Sequence, residues 1–456
     1  MTASVSATVR QNPAPGRGRL LRVLGIGFGI SVGVGAAIGG GILRVPAFVA
    51  SELPDPGWIA LVWLLVTGFV FIDANTHSEL SAMIPKAGGS YVFVTRAFGE
   101  FPGFVVGWTD WVINVAAIAY ISVAFADVAS ELSPGIRPLG HLIAVTLIGG
   151  FTALHSVGVH VGGRAQLTLS AVKVVGFLVV VAACLWFAPH PASAVSGSLP
   201  PAPSLGFAAL IAAFVRSWQL TPETYAGSMS AVYFAEESDQ PGRSMPRAIF
   251  GSVLVVAVVY LSTVAMLLYV LGAEHLAQST LPLADAAQVA LGDRSRDLVL
   301  VVALLSLLGL VSANVMLTPR ILFAIARDGL FARAATSVNA GGTPALALFI
   351  TSALSIALAL TNTFEQLFSI TSFLTLIMIL ATNASLFALR YREPDLQRPF
   401  QAWGYPWLPT IGVAVPSAVA IGALRVNTRN SVIGLALIAL AYPVFRRIRE
   451  SARAQP

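Results

Sequence analysis

The stretch VGVGAAIGGGILRVP, residues 32–46, lies inside the first long apolar segment of the chain, and five of its first ten residues are glycine. Each glycine inside a helix costs up to about 1 kcal/mol relative to alanine, so three in succession at Gly39–Gly41 predict an interruption. The alternative is close packing against another helix, which small residues permit. We expect close packing at Gly33 and Gly35 and a break at Gly39–Gly41, where close packing remains the alternative.

The composition places this chain in a lipid bilayer. Hydrophobic residues make up 56% and charged residues 11% of its 456 residues, and the mean hydropathy is +0.80. A chain with so little polar surface does not fold as a soluble globule. A helix of about 20 residues crosses the hydrocarbon core. Twelve apolar segments have suitable length, and we number these predicted spans 1 to 12: 21–50, 57–80, 101–129, 139–158, 166–188, 205–234, 247–272, 297–325, 343–361, 366–389, 407–424 and 429–446.

The basic residues predict the orientation of these spans. Most of the 27 Lys and Arg residues fall on the side that holds the N-terminus, and the positive-inside rule makes that side cytoplasmic. We therefore expect a multi-pass protein of the cell (inner) membrane with both termini in the cytoplasm. The net charge of +6 fits attraction to anionic lipid and does not indicate nucleic-acid binding.

The sixth span contains a second interruption. Its sequence SWQLTPETYAGSMSAVYFAEE, residues 217–237, carries Pro222, Gly227 and several polar residues near its middle. Spans 1 and 6 are equivalent if spans 1–10 form two five-helix units, and Gly40 and Gly227 are 187 residues apart. Breaks at matching positions of two halves indicate the central site of a secondary transporter.

This repeat predicts the organisation of the chain. Because five is an odd number, the second unit runs upside down relative to the first. The predicted parts are a disordered cytoplasmic tail (1–20), a first five-helix repeat (21–188), a second five-helix repeat (205–389), helices eleven and twelve (404–446) and a cytoplasmic tail (447–456).

Five segments, in order, resemble those of the amino acid–polyamine–organocation (APC) transporters. They extend from about residue 25 to residue 410 and are specific for the family, though not for a substrate. The segments are IGGGILRVP in span 1, ELSAMIPKAGGSYVFVTRAFGEFPGFVVGWTDWV between spans 2 and 3, TYAGSMSAVYFAEESDQPGRSMPRAI from span 6 onward, NVMLTPRILFAIARDGLF at the end of span 8, and LRYREPDLQRPFQAWGYPWLP before span 11.

The resemblance implies a fold and an activity. The implied fold is an all-α integral membrane protein with the LeuT-type 5+5 inverted repeat and two additional helices, which makes 12 transmembrane helices. Members of the family carry amino acids or related amines by alternating access. In that scheme the backbone amides of Gly39, Gly40 and Gly41, with Ile42 beside them, receive the substrate carboxylate.

The resemblance also implies partners for the rest of the substrate. Carbonyl groups freed in span 6 around Thr224, Tyr225 and Gly227 would accept its ammonium group. Many related chains carry an acidic residue and a tryptophan where this chain has Ala226 and Ser228. Because an acidic partner and an aromatic lid are missing there, we expect neutral rather than cationic amino acids.

Two charged residues lie deep in span 6. Arg216 and Glu223 are seven residues apart and therefore share one face of a helix at two turns. Charges at this depth are expensive and usually functional. We expect the two residues to pair with each other in an outer gate. Alternatively, Glu223 recognises a basic substrate side chain, or both residues reach the wet vestibule.

Lys173 in span 5 also has two interpretations. It lies about 10 Å along the helix from its cytoplasmic start, from where a lysine can snorkel to the interface. In part of the family that this chain resembles, a lysine of this span reaches the contact of spans 1 and 8, where sodium sits in related transporters. Its ammonium group would then bond carbonyls near Ala37 and Ile38, and the hydroxyl of Ser312. This interpretation predicts sodium-independent transport.

The sequence lacks common metal-binding and phosphate-binding motifs. The sequence has no HExxH motif, Cys/His cluster of metal spacing or GxxxxGKS loop, so we expect neither an enzyme nor a bound metal or cofactor. Asp110 and Asn114, one turn apart in span 3, are expected to form hydrogen bonds inside the bundle. The single Cys184 excludes an intrachain disulfide.

Together these patterns predict sodium-independent secondary transport of neutral amino acids, by proton symport or by exchange. Cationic amino acids or polyamines are the alternative substrates, and a non-transporting amino acid sensor is the alternative function. The expected partners are the amino acid, the lipid bilayer and, for symport, protons. The oligomeric state does not follow from the sequence.

Overall fold

The computed structural model describes residues 20, 25–53, 55–188, 206–361 and 364–453. These residues form seventeen α-helices and no β-strand. The predicted tail 1–20 lies outside the described residues except for Leu20, and so do residues 454–456 of the second predicted tail. The helices are α1 (Ile26–Ala37), α2 (Gly40–Glu52), α3 (Pro56–Met83), α4 (Ser90–Phe98), α5 (Glu100–Leu132), α6 (Gly140–Val157), α7 (Val159–Phe187), α8 (Phe207–Tyr225), α9 (Pro241–Val270), α10 (Gly272–Gln278), α11 (Pro282–Leu291), α12 (Arg294–Arg327), α13 (Ala345–Ala359), α14 (Phe364–Arg392), α15 (Trp407–Val426), α16 (Thr428–Ala439) and α17 (Ala441–Arg453).

Nine helical segments in the described ranges are long and apolar enough to cross a membrane, and α1 with α2 forms a tenth, bent span. The two predicted spans that remain correspond to α8, which continues as a 3₁₀ helix, and to the 15-residue α13. The all-α membrane fold is therefore confirmed. The count of twelve spans stays a prediction.

Apolar side chains form both the core and much of the outer surface of the bundle, and several ionisable or amide side chains are buried in its interior. Leu64 and Leu254 are exposed, whereas Glu79, Lys173 and Asn383 are fully buried. This distribution suits a lipid surround, because ionisable groups in membrane helices face the bundle interior or a water-filled cavity. Buried polar residues are thus the markers of the functional interior.

Equivalent helices of the two predicted halves pack against each other. The most extensive contacts in the bundle join α5 to α12 and α3 to α9, which are spans 3 and 8 and spans 2 and 7. A pseudo-two-fold axis between inverted repeats would bring such equivalent members together. Helix α1 packs against α9 and against the 3₁₀ helix that follows α8.

Two glycines of α1 permit this packing. A Cβ atom at Gly33 would lie 2.6 Å from the carbonyl oxygen of Ser228, and one at Gly35 would lie 1.7 Å from the Gln166 side chain. Since real Cβ atoms do not approach other atoms so closely, a larger residue would separate α1 from its neighbours. The predicted close packing at Gly33 and Gly35 is confirmed.

Candidate substrate site

The first span is broken where the three glycines stand. Helix α1 ends at Ala37, α2 begins at Gly40, and the two helices are bent by 45° relative to each other. The last carbonyl groups of α1 and the first N–H groups of α2 therefore lack partners within their own helices. The predicted break at Gly39–Gly41 is confirmed.

Side chains from other helices bind the freed carbonyl groups of α1. The ammonium group of Lys173 on α7 donates to the carbonyl oxygens of Gly35 at 2.9 Å and Ile38 at 2.8 Å. The hydroxyl of Ser306 on α12 donates to the carbonyl oxygen of Ile38 at 3.0 Å. Lys173 is fully buried, so the structure favours the contact with span 1 over the snorkelling interpretation.

The predicted contact between Lys173 and Ser312 is replaced by another. The hydroxyl of Ser312 lies 3.2 Å from Nε2 of His155 on α6, while Ser306, six residues earlier on α12, reaches the break. Both serines lie on the same helix and both are fully buried. Sequence reasoning chose the wrong serine because the rotation and depth of α12 relative to α1 depend on tertiary packing.

The second break has a different form. Helix α8 ends at Tyr225 and continues without a gap as a 3₁₀ helix over Ala226–Glu237. Pro222 lies in the last turn of α8, and proline removes one helical hydrogen bond. The tighter 3₁₀ helix then changes which carbonyl groups are bonded.

One tyrosine links the two breaks. The hydroxyl of Tyr260 on α9 lies 2.8 Å from the carbonyl oxygen of Ala37 and 2.9 Å from that of Thr224. The carbonyl of Thr224, which the resemblance implied as an ammonium partner, therefore already has a hydroxyl donor. Sequence reasoning missed Tyr260, because nothing in span 7 distinguishes it from an ordinary aromatic residue.

Gly227 is the closest point between the two broken spans. A Cβ atom at this position would lie 2.0 Å from the carbonyl oxygen of Ala36 and 2.6 Å from the backbone nitrogen of Ala37. Both neighbours are backbone atoms, so rotation of a side chain cannot relieve the clash. Gly227 is needed for the crossing of α1 with the 3₁₀ helix.

A cavity of about 130 Å³ lies beside the breaks. Of the predicted substrate residues, its lining includes Gly41, Thr224, Tyr225, Ala226 and Gly227. The structure does not place the other four on the lining, which are Gly39, Gly40, Ile42 and Ser228.

The glycines of the break differ in what they face. A Cβ at Gly39 would meet Leu310 at 2.4 Å, one at Gly40 would meet the ring of Phe364 at 3.2 Å, and one at Gly41 would meet Thr224 at 2.7 Å. Gly41 is thus the member of the triplet that lies between the cavity and the second break.

The charged residues on the lining of the cavity are mostly acidic. They are Asp73 and His77 on α3, Asp110 on α5 and Glu223 on α8. Sequence reasoning treated Asp110 as a hydrogen-bonding residue and did not place Asp73 or His77 in the site. The sequence shows that these ionisable residues lie inside apolar spans, which makes them functional candidates. It does not show that they line the same cavity.

Asp73 and His77 lie against each other, and Asp110 accepts hydrogen bonds from two side chains. Nδ1 of His77 lies 3.3 Å from Asp73. Asp110 accepts hydrogen bonds from Tyr233 at 2.8 Å and Asn114 at 2.9 Å, so its predicted role in internal hydrogen bonding is confirmed.

Arg216 does not pair with Glu223. Its guanidinium group contacts Glu52 at the end of α2, with Nε 2.7 Å from the carboxylate, and both residues line a vestibule of about 1030 Å³. Seven residues of helix separate Arg216 and Glu223 by about 10 Å, whereas the fold brings Glu52 within hydrogen-bond distance. The predicted pair is wrong, and Glu223 is left beside the cavity.

Aromatic rings separate the vestibule from the cavity. Tyr120 packs against Phe364 and Phe368, with ring centroids 5.3 and 5.6 Å away. The guanidinium group of Arg44 lies 4.5 Å from the Phe364 ring centroid and donates to Glu365 at 2.8 Å. These groups, with Gly40 next to Phe364, form an aromatic closure.

Ion pairs close the opposite side of the bundle, where α1 begins. Arg327 on α12 donates to Glu236 at 2.7 Å, and Glu236 accepts the backbone N–H of Ala87. The hydroxyl of Tyr91 donates to Asp328 at 2.8 Å. The cavity therefore lies between an aromatic closure on one side and a polar closure on the other.

This geometry defines a class of protein. Two interrupted helices of a membrane bundle meet at a buried cavity, and their ends present backbone N–H groups and carbonyl groups of opposite partial charge. Secondary transporters hold their substrates near the bilayer midplane with this arrangement.

The chain belongs to the amino acid permease family, whose sequence profile matches residues 20–445. The resemblance to the APC transporters is thereby confirmed, together with the LeuT-type fold of that family. The protein is a multi-pass membrane permease of amino acid transport and not an enzyme.

Its relatives have different named substrates. The serine/threonine exchanger SteT of Bacillus subtilis is 26% identical over 94% of this chain and 98% of its own length. The branched-chain amino acid permease BcaP of Lactococcus lactis is 26% identical over 84% and 85%. The human cystine/glutamate transporter is 25% identical over 86% and 78%. This range of substrates leaves the amino acid carried by the present chain open.

Proposed function

We propose that this protein carries amino acids across the cell membrane without sodium, by alternating access, as a proton symporter or an exchanger. Both termini lie in the cytoplasm in this proposal, because the basic residues cluster on that side. The vestibule then opens to the outside, and the polar closure at Arg327 and Glu236 faces the cytoplasm.

The contact between Lys173 and the first break carries the proposal. A cation that binds freed carbonyl groups of span 1 stabilises the non-helical backbone, and the resemblance implies that related transporters use sodium there. In this chain the ammonium group of Lys173 already donates to Gly35 and Ile38. An ammonium group is a point charge with three donors, so it supplies covalently the charge that a bound sodium ion would supply.

The α-amino acid part of the substrate binds between the two breaks. Its carboxylate approaches the positive N-terminal end of α2 at Gly41. Its ammonium group approaches the carbonyl groups of the second break, where Tyr225 and Gly227 line the cavity. In the transport cycle the aromatic closure and the polar closure open in turn, never both at once.

Two features favour different side chains on the substrate. The small residues Ala226 and Ser228 favour neutral amino acids, as expected from the sequence. The acidic lining formed by Asp73, Asp110 and Glu223 favours cationic ones.

Uptake into proteoliposomes tests this function. Radiolabelled amino acids are offered with and without sodium, a pH gradient and internal unlabelled amino acid. We expect uptake that is independent of sodium, and stimulation by the pH gradient would indicate symport whereas stimulation by internal amino acid would indicate exchange. Uptake that requires sodium would contradict the proposal.

A substitution sharpens this test. We expect Lys173→Met to lower uptake at least about tenfold, because the freed carbonyls lose a buried cation. Arg164→Gln, which removes an exposed charge from the same helix, is the matched control and should transport normally. Normal uptake by Lys173→Met would show that the lysine has only a structural role.

A further inference from the structure

Glu223 differs from the other charged residues of the cavity. It is 8% exposed and lines the cavity, and its Oε2 atom has no hydrogen-bond partner among the described residues. The side chains of Thr371 and Thr375 on α14 lie next to the carboxyl group. These neighbours are hydroxyls, so Glu223 is held in place without a positive partner.

Arg216, the cation that the sequence predicted as the partner of Glu223, does not contact it in the fold. Arg216, on the same helix, pairs with Glu52 in the vestibule. Among the described residues that line the cavity there is no lysine or arginine. His77 lies against Asp73, and Asp110 accepts hydrogen bonds from Tyr233 and Asn114.

The lining of the cavity therefore offers Glu223 hydroxyl donors but no cation, and a positively charged ligand can supply one. A buried carboxylate is stabilised by an opposite charge or by enough hydrogen-bond donors. A zwitterionic substrate brings a carboxylate together with its ammonium group, so it leaves the net charge of the cavity unchanged. A substrate with a second positive group balances one carboxylate.

We propose that Glu223 is a specificity-determining residue that binds the cationic side chain of a basic amino acid. This inference rests on the proposed function and names its substrate class. The acceptors for the α-ammonium group remain the carbonyl groups of the second break, which every amino acid uses. Glu223 adds an interaction that only a basic side chain can make, and such charge-assisted hydrogen bonds are about twice as strong as neutral ones.

Arginine and citrulline provide the matched ligands for the test. The two have similar size, and citrulline replaces the guanidinium group by a neutral urea. Binding of both radiolabelled ligands is measured on the purified full-length protein in detergent. We expect arginine to bind at least about tenfold more tightly than citrulline, a difference of about 1.4 kcal/mol or more, because only arginine can form a charge-assisted hydrogen bond with Glu223.

The variant Glu223→Gln keeps the size of the side chain and removes its charge. It should reduce the arginine-to-citrulline preference to about onefold by weakening arginine, while citrulline binding is preserved. Glu131→Gln is the control, since Glu131 pairs with Arg137 and Arg296 at the vestibule, is absent from the lining of the cavity and should keep the preference. Glu223→Asp retains the charge and should retain part of the preference.

The outcomes separate this inference from the proposed function. Equal binding of arginine and citrulline by the unmodified protein would overturn the inference. This comparison does not depend on whether any variant folds. Equal weakening of both ligands in Glu223→Gln would assign Glu223 to the α-ammonium group and would also overturn it. A preference that persists in Glu223→Gln would remove Glu223 from the recognition of the side chain. Failure of every amino acid to bind or to be carried would overturn the proposed function itself.

Discussion

The freed carbonyl groups of the two broken spans are bound by different kinds of donor. In the first, two residues separate α1 from α2, and the freed carbonyl groups receive the charged Lys173 and the hydroxyl of Ser306. In the second, α8 passes directly into a 3₁₀ helix, and the hydroxyl of Tyr260 is the donor to the carbonyl of Thr224.

The first break has more contacts with neighbouring helices that would hold it in place. Lys173 lies on α7 and Ser306 on α12, so the end of α1 is held by two neighbouring helices and by a buried cation. The second break has neutral partners and lies next to the unpaired Glu223. We infer that the ammonium group of Lys173 fixes the first break and that the second break adapts to the substrate.

The largest effect should come from the crossing of the two breaks. Gly227→Ala places a methyl group 2.0 Å from the carbonyl oxygen of Ala36, so α1 and the 3₁₀ helix must separate. We expect loss of most of the folded protein, measured by fluorescence-detected size-exclusion chromatography. Gly68→Ala is the control, because a Cβ at Gly68 meets nothing within 4 Å and alanine favours the helix by up to about 1 kcal/mol. Normal yield and uptake of Gly227→Ala would contradict this account of the crossing.

A smaller effect should distinguish two neighbouring glycines of the first break. Gly41→Ala pushes against Thr224, with one contact of 3.2 Å to its backbone, whereas Gly40→Ala meets the edge of the Phe364 ring at 3.2 Å. We expect Gly41→Ala to weaken amino acid binding about tenfold or more, because it separates the two breaks at the cavity. Gly40→Ala should weaken it less, since a ring can shift more easily than backbone. The reverse order would place the substrate nearer to Gly40 than to Gly41.

The smallest effect should come from the hydroxyl that joins the breaks. Tyr260→Phe leaves the carbonyl groups of Ala37 and Thr224 without this donor. We expect the free energy of unfolding in detergent to fall by about 1–3 kcal/mol, the cost of unsatisfied buried polar groups. Tyr269→Phe, on the exposed face of the same helix, is the control and should be neutral. An unchanged stability of Tyr260→Phe would show that the two breaks are not linked through this residue.

The positions of the breaks could be predicted from the sequence, but several of their partners could not. A glycine triplet in an apolar segment, and a proline followed by a glycine, indicate interruption through local backbone preferences. Which serine of α12 reaches the first break depends on the rotation of that helix, and Ser306 rather than Ser312 does so. The pairing of Arg216 with Glu52 joins residues far apart in the chain, which spacing along one helix does not reveal.

The sequence by itself indicated that the protein lies in a lipid bilayer, that it is a secondary transporter, and which family it resembles. Apolar length and the two interruptions are local properties that follow from hydropathy and helix propensity, and the five ordered segments carry the resemblance to the family. Only the tertiary structure decided which charges meet. It directed Arg216 away from the cavity, buried Lys173 against α1 and brought Asp73, Asp110 and Glu223 to one surface. The reason is physical, because the energy of a buried charge depends on neighbours from several helices, and their distances are set by packing.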